Sequence, residues 1–178
     1  MTRILETDRL NLRLLEDGDA GFYLRLVNQP SWLRFIGNRG VHTPEHARLA
    51  INQGPLAMYA SHGFCLYLVE ARASQEPVGI CGLIKRDTLP DADIGFAFLD
   101  EHCGKGYAWE SARAVLEHAR RGLGLHRVVA IVSPENAVSI GLIKKLGLRY
   151  EKETRLTPEA KPVALYAVEF GSKSERGA

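Results

Sequence analysis

Apolar and polar positions alternate near the start of the chain. Leu10, Leu12 and Leu14 fall between Arg9, Asn11 and Arg13, the two-residue period of a half-buried strand over 8–14. Asp17 or Asp19 can cap a short helix running to about Val27, and Asn28-Gln29-Pro30 ends it because a residue before proline resists helical geometry. A loop holding Trp32, Phe35 and Gly37 follows. Thr43-Pro44-Glu45 sets a capping hydroxyl before a first-turn proline and predicts a helix to Tyr59, broken at Gly54-Pro55. The β-branched runs FCLYLVEA (64–71) and PVGICGLIKR (77–86), separated by polar residues, predict a hairpin. A strand over 91–99, a helix over 107–124, a strand over 127–132, a helix over 137–146 stopped by Gly147, and a strand over 163–170 complete the pattern, with 172–178 as a frayed tail. In the 107–124 helix, Ala108, Ala112, Val115, Leu116 and Ala119 share one face.

The segment from 91 to 132 carries the most information. Two strands joined by a helical crossover of this length pair in parallel through a right-handed connection, and ligands of such units bind beyond the carboxyl ends of the strands. Gly104-Lys105-Gly106 falls there. Glycines let successive N–H groups converge, and a helix starting near Tyr107 adds unpaired donors and the positive end of its dipole, so the loop suits an anion. An ordinary strand-to-helix turn would use the same residues. The loop is neither a Walker loop, because Leu99 stands where the first glycine is required, nor a dinucleotide fingerprint, because Trp109 takes the third glycine position.

Composition narrows the class. With 178 residues, 46% of them hydrophobic and 25% charged, the chain is sized for one globular domain over 1–178. Glu6, Asp8 and Arg9 interrupt any secretory signal and no run approaches a membrane span, so a cytoplasmic protein without membrane partner is expected. Cys65, Cys81 and Cys103 are odd in number and lack metal spacing, which predicts free thiols. The net charge of +2 is dispersed, and no basic face with interleaved aromatics calls for nucleic acid. HTPEH (42–46) fits an inverted zinc motif, but Pro44 marks a helix start between its histidines, and no metal is expected.

The stretches ADIGFAFLDEHCGKGYAWESARAVLEHA and SPENAVSIGLIKKLGLRYE, with ETDRLNLRLLEDGDA and EPVGICGLIKRD before them, stand in the order of the blocks of the Gcn5-related N-acetyltransferase (GNAT) superfamily. The chain resembles that superfamily over nearly its whole length, and most closely its ribosomal-protein alanine acetyltransferase (RimJ/RimL-like) branch. The resemblance implies an α/β fold with helices on both faces of a mixed, mostly antiparallel sheet, splayed at its fourth and fifth strands. It implies an enzyme that moves acetyl from acetyl-CoA directly to a primary amine, on a protein N-terminus or a small molecule such as an antibiotic, acting as a monomer or homodimer. The alternative of a different class is an acyl-CoA-binding sensor without turnover.

Residue by residue, the resemblance sets Gly104, Lys105, Gly106, Tyr107 and Ala108 around the CoA pyrophosphate and a backbone N–H at Phe98 or Leu99 on the oxyanion. Asp93 matches the acidic residue that several members carry early in the fourth strand and is the candidate base, with a solvated strand-edge carboxylate as the plain alternative and a water chain as rival route for the proton. Ser139 matches a serine able to donate to the departing sulfur, unless its hydroxyl bonds back to its own helix. Asn136 caps that helix, contacts the pantetheine arm, or does both. Three positions depart from the pattern: Glu101 replaces the usual Gln or Arg, Cys103 the usual aromatic, and Ile143 the tyrosine that serves many members as acid.

Overall fold

In the computed structural model, which describes residues 2–171, the chain enters through β1 (Arg3–Glu6) and β2 (Leu10–Arg13). Helices α1 (Ala20–Asn28), α2 (Pro30–Phe35), α3 (Pro44–Ile51) and α4 (Ala57–His62) come next. Then follow β3 (Leu66–Ala71), β4 (Glu76–Ile84), β5 (Asp93–Phe98), α5 (Tyr107–Arg121), β6 (Arg127–Val132), α6 (Ala137–Lys145), β7 (Arg149–Thr154) and β8 (Val163–Glu169). All eight strands join one sheet in the order β1-β2-β3-β4-β5-β6-β8-β7, antiparallel throughout except where β5 meets β6. The predicted mixed, mostly antiparallel sheet is what forms.

Side-chain alternation sends neighbouring residues to opposite faces. Cys81, Ile94 and Phe98 pack with Ala112, Val115, Leu116 and Ala119 of α5 and Ile143 of α6. Their neighbours Ile80, Ala97 and Leu99 pack with Ala20, Leu26 and Val27 of α1, Trp32 of α2 and Ala47 of α3. The stripe foreseen on the 107–124 segment is therefore the face that α5 buries, with Ala108 at its partly buried end.

Several expectations need correction. The loop holding Trp32 is α2, opened by Pro30 at a first-turn position and tied down by burial of the indole. The break at Gly54-Pro55 is a π-turn between α3 and α4, where the wider coil accommodates a proline inside a continuing helix. Strands β1 and β7 were not legible: β1 has four residues, and β7 reads RYEKET, five of whose six side chains are exposed on the sheet edge. An outer strand of alternating charge looks like a solvated loop until its neighbour is known. Cys103 lies exposed at the surface, and all three thiols are free. The expected frayed tail, 172–178, lies outside the described residues. Among the described residues no helix is long and apolar enough to cross a membrane.

Asp19 precedes α1, but its carboxylate accepts from the Glu16 N–H at 2.8 Å and joins a buried charge network instead of capping α1. Arg13 donates to both oxygens of Asp19 at 2.8 and 2.9 Å, to Glu70 Oε2 at 3.2 Å and to the Leu14 carbonyl at 3.1 Å. This network ties β2 and β3 to the start of α1, hence the helical layer to the sheet. Arg13→Ala would strand two buried carboxylates, and urea unfolding should show a loss of about 3–5 kcal/mol. A loss below about 1 kcal/mol would mean that water reaches both carboxylates and the network does not anchor α1.

Candidate active site

Strand β5 is paired with β4 along its whole length, from Asp93↔Ile84 to Phe98↔Gly79. Towards β6 it has one registered pair, Asp93↔Val129, sealed by a 3.0 Å bond from the Val129 N–H to the Ala92 carbonyl. Beyond that point β6 turns to β8, with which it pairs from Arg127 to Val132. The two parallel strands thus part into a wedge that opens towards their carboxyl ends. Arg127 fastens the closed end: it bonds Asp91 at 3.0 Å, Glu151 at 2.7 Å and Glu169 at 3.2 Å.

Backbone direction within β5 follows from two bonds. The Ala92 carbonyl faces β6, and the Leu99 N–H donates to the Val78 carbonyl at 3.0 Å, on the β4 side. Since alternate residues of a strand direct their backbone groups to opposite neighbours, the N–H groups of Phe96 and Phe98 face the wedge. This corrects the Leu99 expectation: its N–H is already bonded, leaving Phe98 of the two proposed donors. The Phe98 carbonyl accepts from Gln29 Nε2 at 2.8 Å, and Gln29 Oε1 accepts from the Asp100 N–H at 3.1 Å, so one amide fixes the strand end.

The loop after β5 has Gly104 at φ +76° and Gly106 at φ +81°, left-handed values that side chains resist. Gly106 immediately precedes α5, whose amino end has no side-chain cap. The first turn therefore keeps unpaired N–H groups, Tyr107 and Ala108 among them, at the positive end of a 15-residue helix. Lys105 Nζ lies 3.2 Å from His102 Nδ1. Glu101, the departure from the family pattern, is bonded to Arg25 of α1.

On the β6 side of the wedge, Asn136 caps α6: its Oδ1 accepts from the Ser139 N–H at 3.1 Å. Ser139 is half-buried, and its hydroxyl makes no hydrogen bond among the described residues, unlike Ser111, whose Oγ bonds back to the Tyr107 and Ala108 carbonyls at 2.8 and 3.2 Å. Ile143 is buried in the main core. Asp93 sits at the apex of the wedge, 2% exposed at its side chain, with Oδ1 accepting from Arg86 Nε at 3.0 Å. Burial raises the proton affinity of Asp93 above an ordinary aspartate, and the Arg86 guanidinium opposes the shift without cancelling it. The solvated strand-edge carboxylate that the sequence allowed is excluded. Phe98 and the glycine loop lie at and after the carboxyl end of β5, and Asn136 and Ser139 follow that of β6, while Asp93 stands at the pair where the two strands meet.

Sequence reasoning missed Arg9, Glu110, Thr7 and Arg86. Glu110 Oε1 accepts from Thr7 Oγ1 at 2.6 Å and from the Arg9 N–H at 2.9 Å, and Oε2 from Arg9 Nε at 2.6 Å. Burial works to raise the Glu110 carboxyl, but these donors prevail and hold it below the usual carboxylate range. The one signal was a glutamate in the first turn of a helix, too common to point to a partner 101 residues away. Among the described residues no cluster of three or more His, Cys, Asp or Glu could hold a metal.

An open wedge, a glycine loop and an uncapped helix end fit a long cosubstrate with a diphosphate, as acetyl-CoA is. Residues 9–149 match the family model described as an acetyltransferase (GNAT) domain. The chain is 42% identical over 147 residues to the uncharacterized N-acetyltransferase YnaD of Bacillus subtilis, covering 83% of each. It is 30% identical over 165 residues to the uncharacterized protein YkkB of the same organism, covering 91% of this chain and 93% of YkkB. In fold it is similar to RimL, a ribosomal L7/L12 alpha-N-protein acetyltransferase solved with coenzyme A, at a TM-score of 0.79 and 20% identity, covering 94% of this chain and 97% of that one.

Because the Asp93 value is raised in the folded state, the group favours folding below the ordinary aspartate value of about 3.9 and costs stability as pH rises through the folded value. A carbon-detected NMR titration should place Asp93 above about 3.9, and Arg86→Met should raise it further by removing the opposing cation. A midpoint below about 3.9 would show that the ion pair outweighs burial.

Proposed function

The chain belongs to the GNAT acetyltransferase domain family, and on that premise we propose that it transfers acetyl from acetyl-CoA directly to a primary amine, with a protein α-amino group as the acceptor. The single registered pair between β5 and β6 carries this reading, because it opens a slot between the strands that ends at an anion-ready loop. Backbone N–H groups from Gly104 to Ala108 are assigned to the diphosphate, the Phe98 N–H to the thioester oxygen, and Asn136 Nδ2 to the amide-bearing arm. The likeness to the RimL fold supports the protein acceptor over a small molecule.

Only a neutral amine attacks a thioester, and an alkyl ammonium has a pKa near about 10. A base must therefore take protons from nitrogen, one to free the amine and one as the N–C bond forms, and the departing sulfur must gain a proton as the C–S bond breaks. Asp93 is assigned the transfer from nitrogen, because a carboxylate with raised proton affinity, at the depth where the slot closes, is better matched to it than an exposed one. Ser139 is assigned the transfer to sulfur, since its hydroxyl is uncommitted and Ile143 offers no proton.

Mass spectrometry of protein incubated with acetyl-CoA and a panel of N-terminal peptides, lysine peptides and small amines should show a gain of one acetyl group on peptide α-amines. Binding of acetyl-CoA without acetylation of any amine would overturn the enzymatic reading in favour of a sensor. Asp93→Asn should lower kcat by about 10²–10⁴ with partial recovery at high pH, the size of a general-base effect. An unchanged pH profile would pass the proton to water.

Ser139→Ala should lower kcat while leaving acetyl-CoA affinity unchanged, as expected of a contact made in the transition state. Equal turnover would return Ser139 to helix packing.

A further inference from the structure

The loop that faces the cosubstrate is held from behind by residues almost a hundred positions away. Arg9 Nη1 donates to the Lys105 carbonyl at 2.9 Å. That carbonyl and the Gly106 N–H belong to one trans peptide, so they point in opposite directions. Fixing the oxygen on Arg9 turns the Gly106 N–H away from Arg9. Arg9 also lies along the open side of Gly106, where a Cβ would stand 3.2 Å from its Nη2, and its guanidinium covers the Tyr107 ring at 5.0 Å. Glu110 fixes Arg9 in turn through both its Nε and its main-chain N–H, and Thr7 braces the same carboxylate. The Glu110 N–H makes the first bond of α5, to the Gly106 carbonyl at 3.1 Å, so the carboxylate, the helix end and the loop form one unit.

We propose that Arg9 and Glu110 are positioning residues for acyl-CoA binding: their fork sets the orientation of the Lys105-Gly106 peptide and pre-forms the anion-binding loop before the cosubstrate arrives. The role rests on the acetyl-CoA reading of the site and adds to it residues outside the glycine loop. An alternative function for the same side chain, a simple cation beside a phosphate, makes opposite demands. A lysine at position 9 would keep the charge but not the fork that spans Glu110 and Lys105. Removing Glu110 would relieve repulsion of an anionic ligand if Arg9 acted as a charge, yet would release Arg9 if it acts as a brace.

The test is calorimetry of CoA binding to the wild type, Arg9→Lys and Glu110→Ala, with thermal melting of each unliganded protein as control. Both variants should bind CoA about tenfold more weakly, the size of one lost charge-assisted hydrogen bond. In the acetylation assay, KM for acetyl-CoA should rise while kcat and the amine KM stay constant, a split that general destabilisation would not produce. Full affinity in Arg9→Lys, or tighter binding in Glu110→Ala, would overturn the positioning role. Should Glu110→Ala melt too early to measure, Thr7→Val removes the brace, along with the bond that the Leu10 N–H makes to the same hydroxyl, and should weaken CoA binding in the same direction; unchanged affinity there, with Arg9→Lys also unchanged, sinks the proposal. Wild-type protein that binds no CoA would overturn the reading of the site itself, a result distinct from equal binding by all variants.

Discussion

Everything about this site follows from two parallel strands that touch at one place. The Val129 N–H bonded to the Ala92 carbonyl closes the sheet at the Asp93↔Val129 pair. From there β5 stays with β4 and β6 stays with β8. Each strand satisfies one edge fully with its antiparallel neighbour, so the inner edges can separate without breaking the sheet. The cost is a row of backbone donors and acceptors in the gap, among them the Phe98 N–H, that need a partner. A ligand with amides and a carbonyl along its length is such a partner.

The apex must be firm for the wedge to have a fixed angle, and charge supplies that firmness on both sides. Arg86 holds the Asp93 carboxylate across the β4–β5 pair, and Arg127 binds acidic residues before β5, on β7 and on β8. Arg13 does the corresponding work between the sheet and α1. Isolated surface ion pairs contribute little, but an arginine shared among two or three carboxylates fixes directions as well as distances. The helical layer of α1 to α3 then closes one face, and α5 and α6 the other.

Two helix beginnings follow the carboxyl ends of β5 and β6 and are finished differently. At α6 the Asn136 side chain takes the Ser139 N–H, which satisfies one donor of that end from within the protein. At α5 no side chain does so, and a glycine in the left-handed region takes the place of a capping residue. The contrast separates a helix end capped by a side chain from one left without such a cap, the kind of end that suits an anion. The brace of Thr7, Arg9 and Glu110 compensates for the freedom that two glycines would otherwise give the loop.

The periodicities in the sequence determined the order and type of most elements, the buried stripe of α5, the parallel crossover and the position of the glycine loop beyond β5. These are local or nearly local properties, written by side-chain spacing of two or 3.6 residues and by the turn chemistry of glycine and proline. Charged β7 and the Trp32 helix escaped because an edge strand and a short helix take their stability from neighbours, not from their own pattern. Only the tertiary structure decided that Leu99 has no free N–H while Phe98 faces the gap, since register with Val78 sets which way each amide points. It alone decided that Asp93 is buried against Arg86, and that Arg9 reaches Lys105 and Glu110. Such pairings join residues far apart in the chain, and no spacing along a sequence encodes a distance through space.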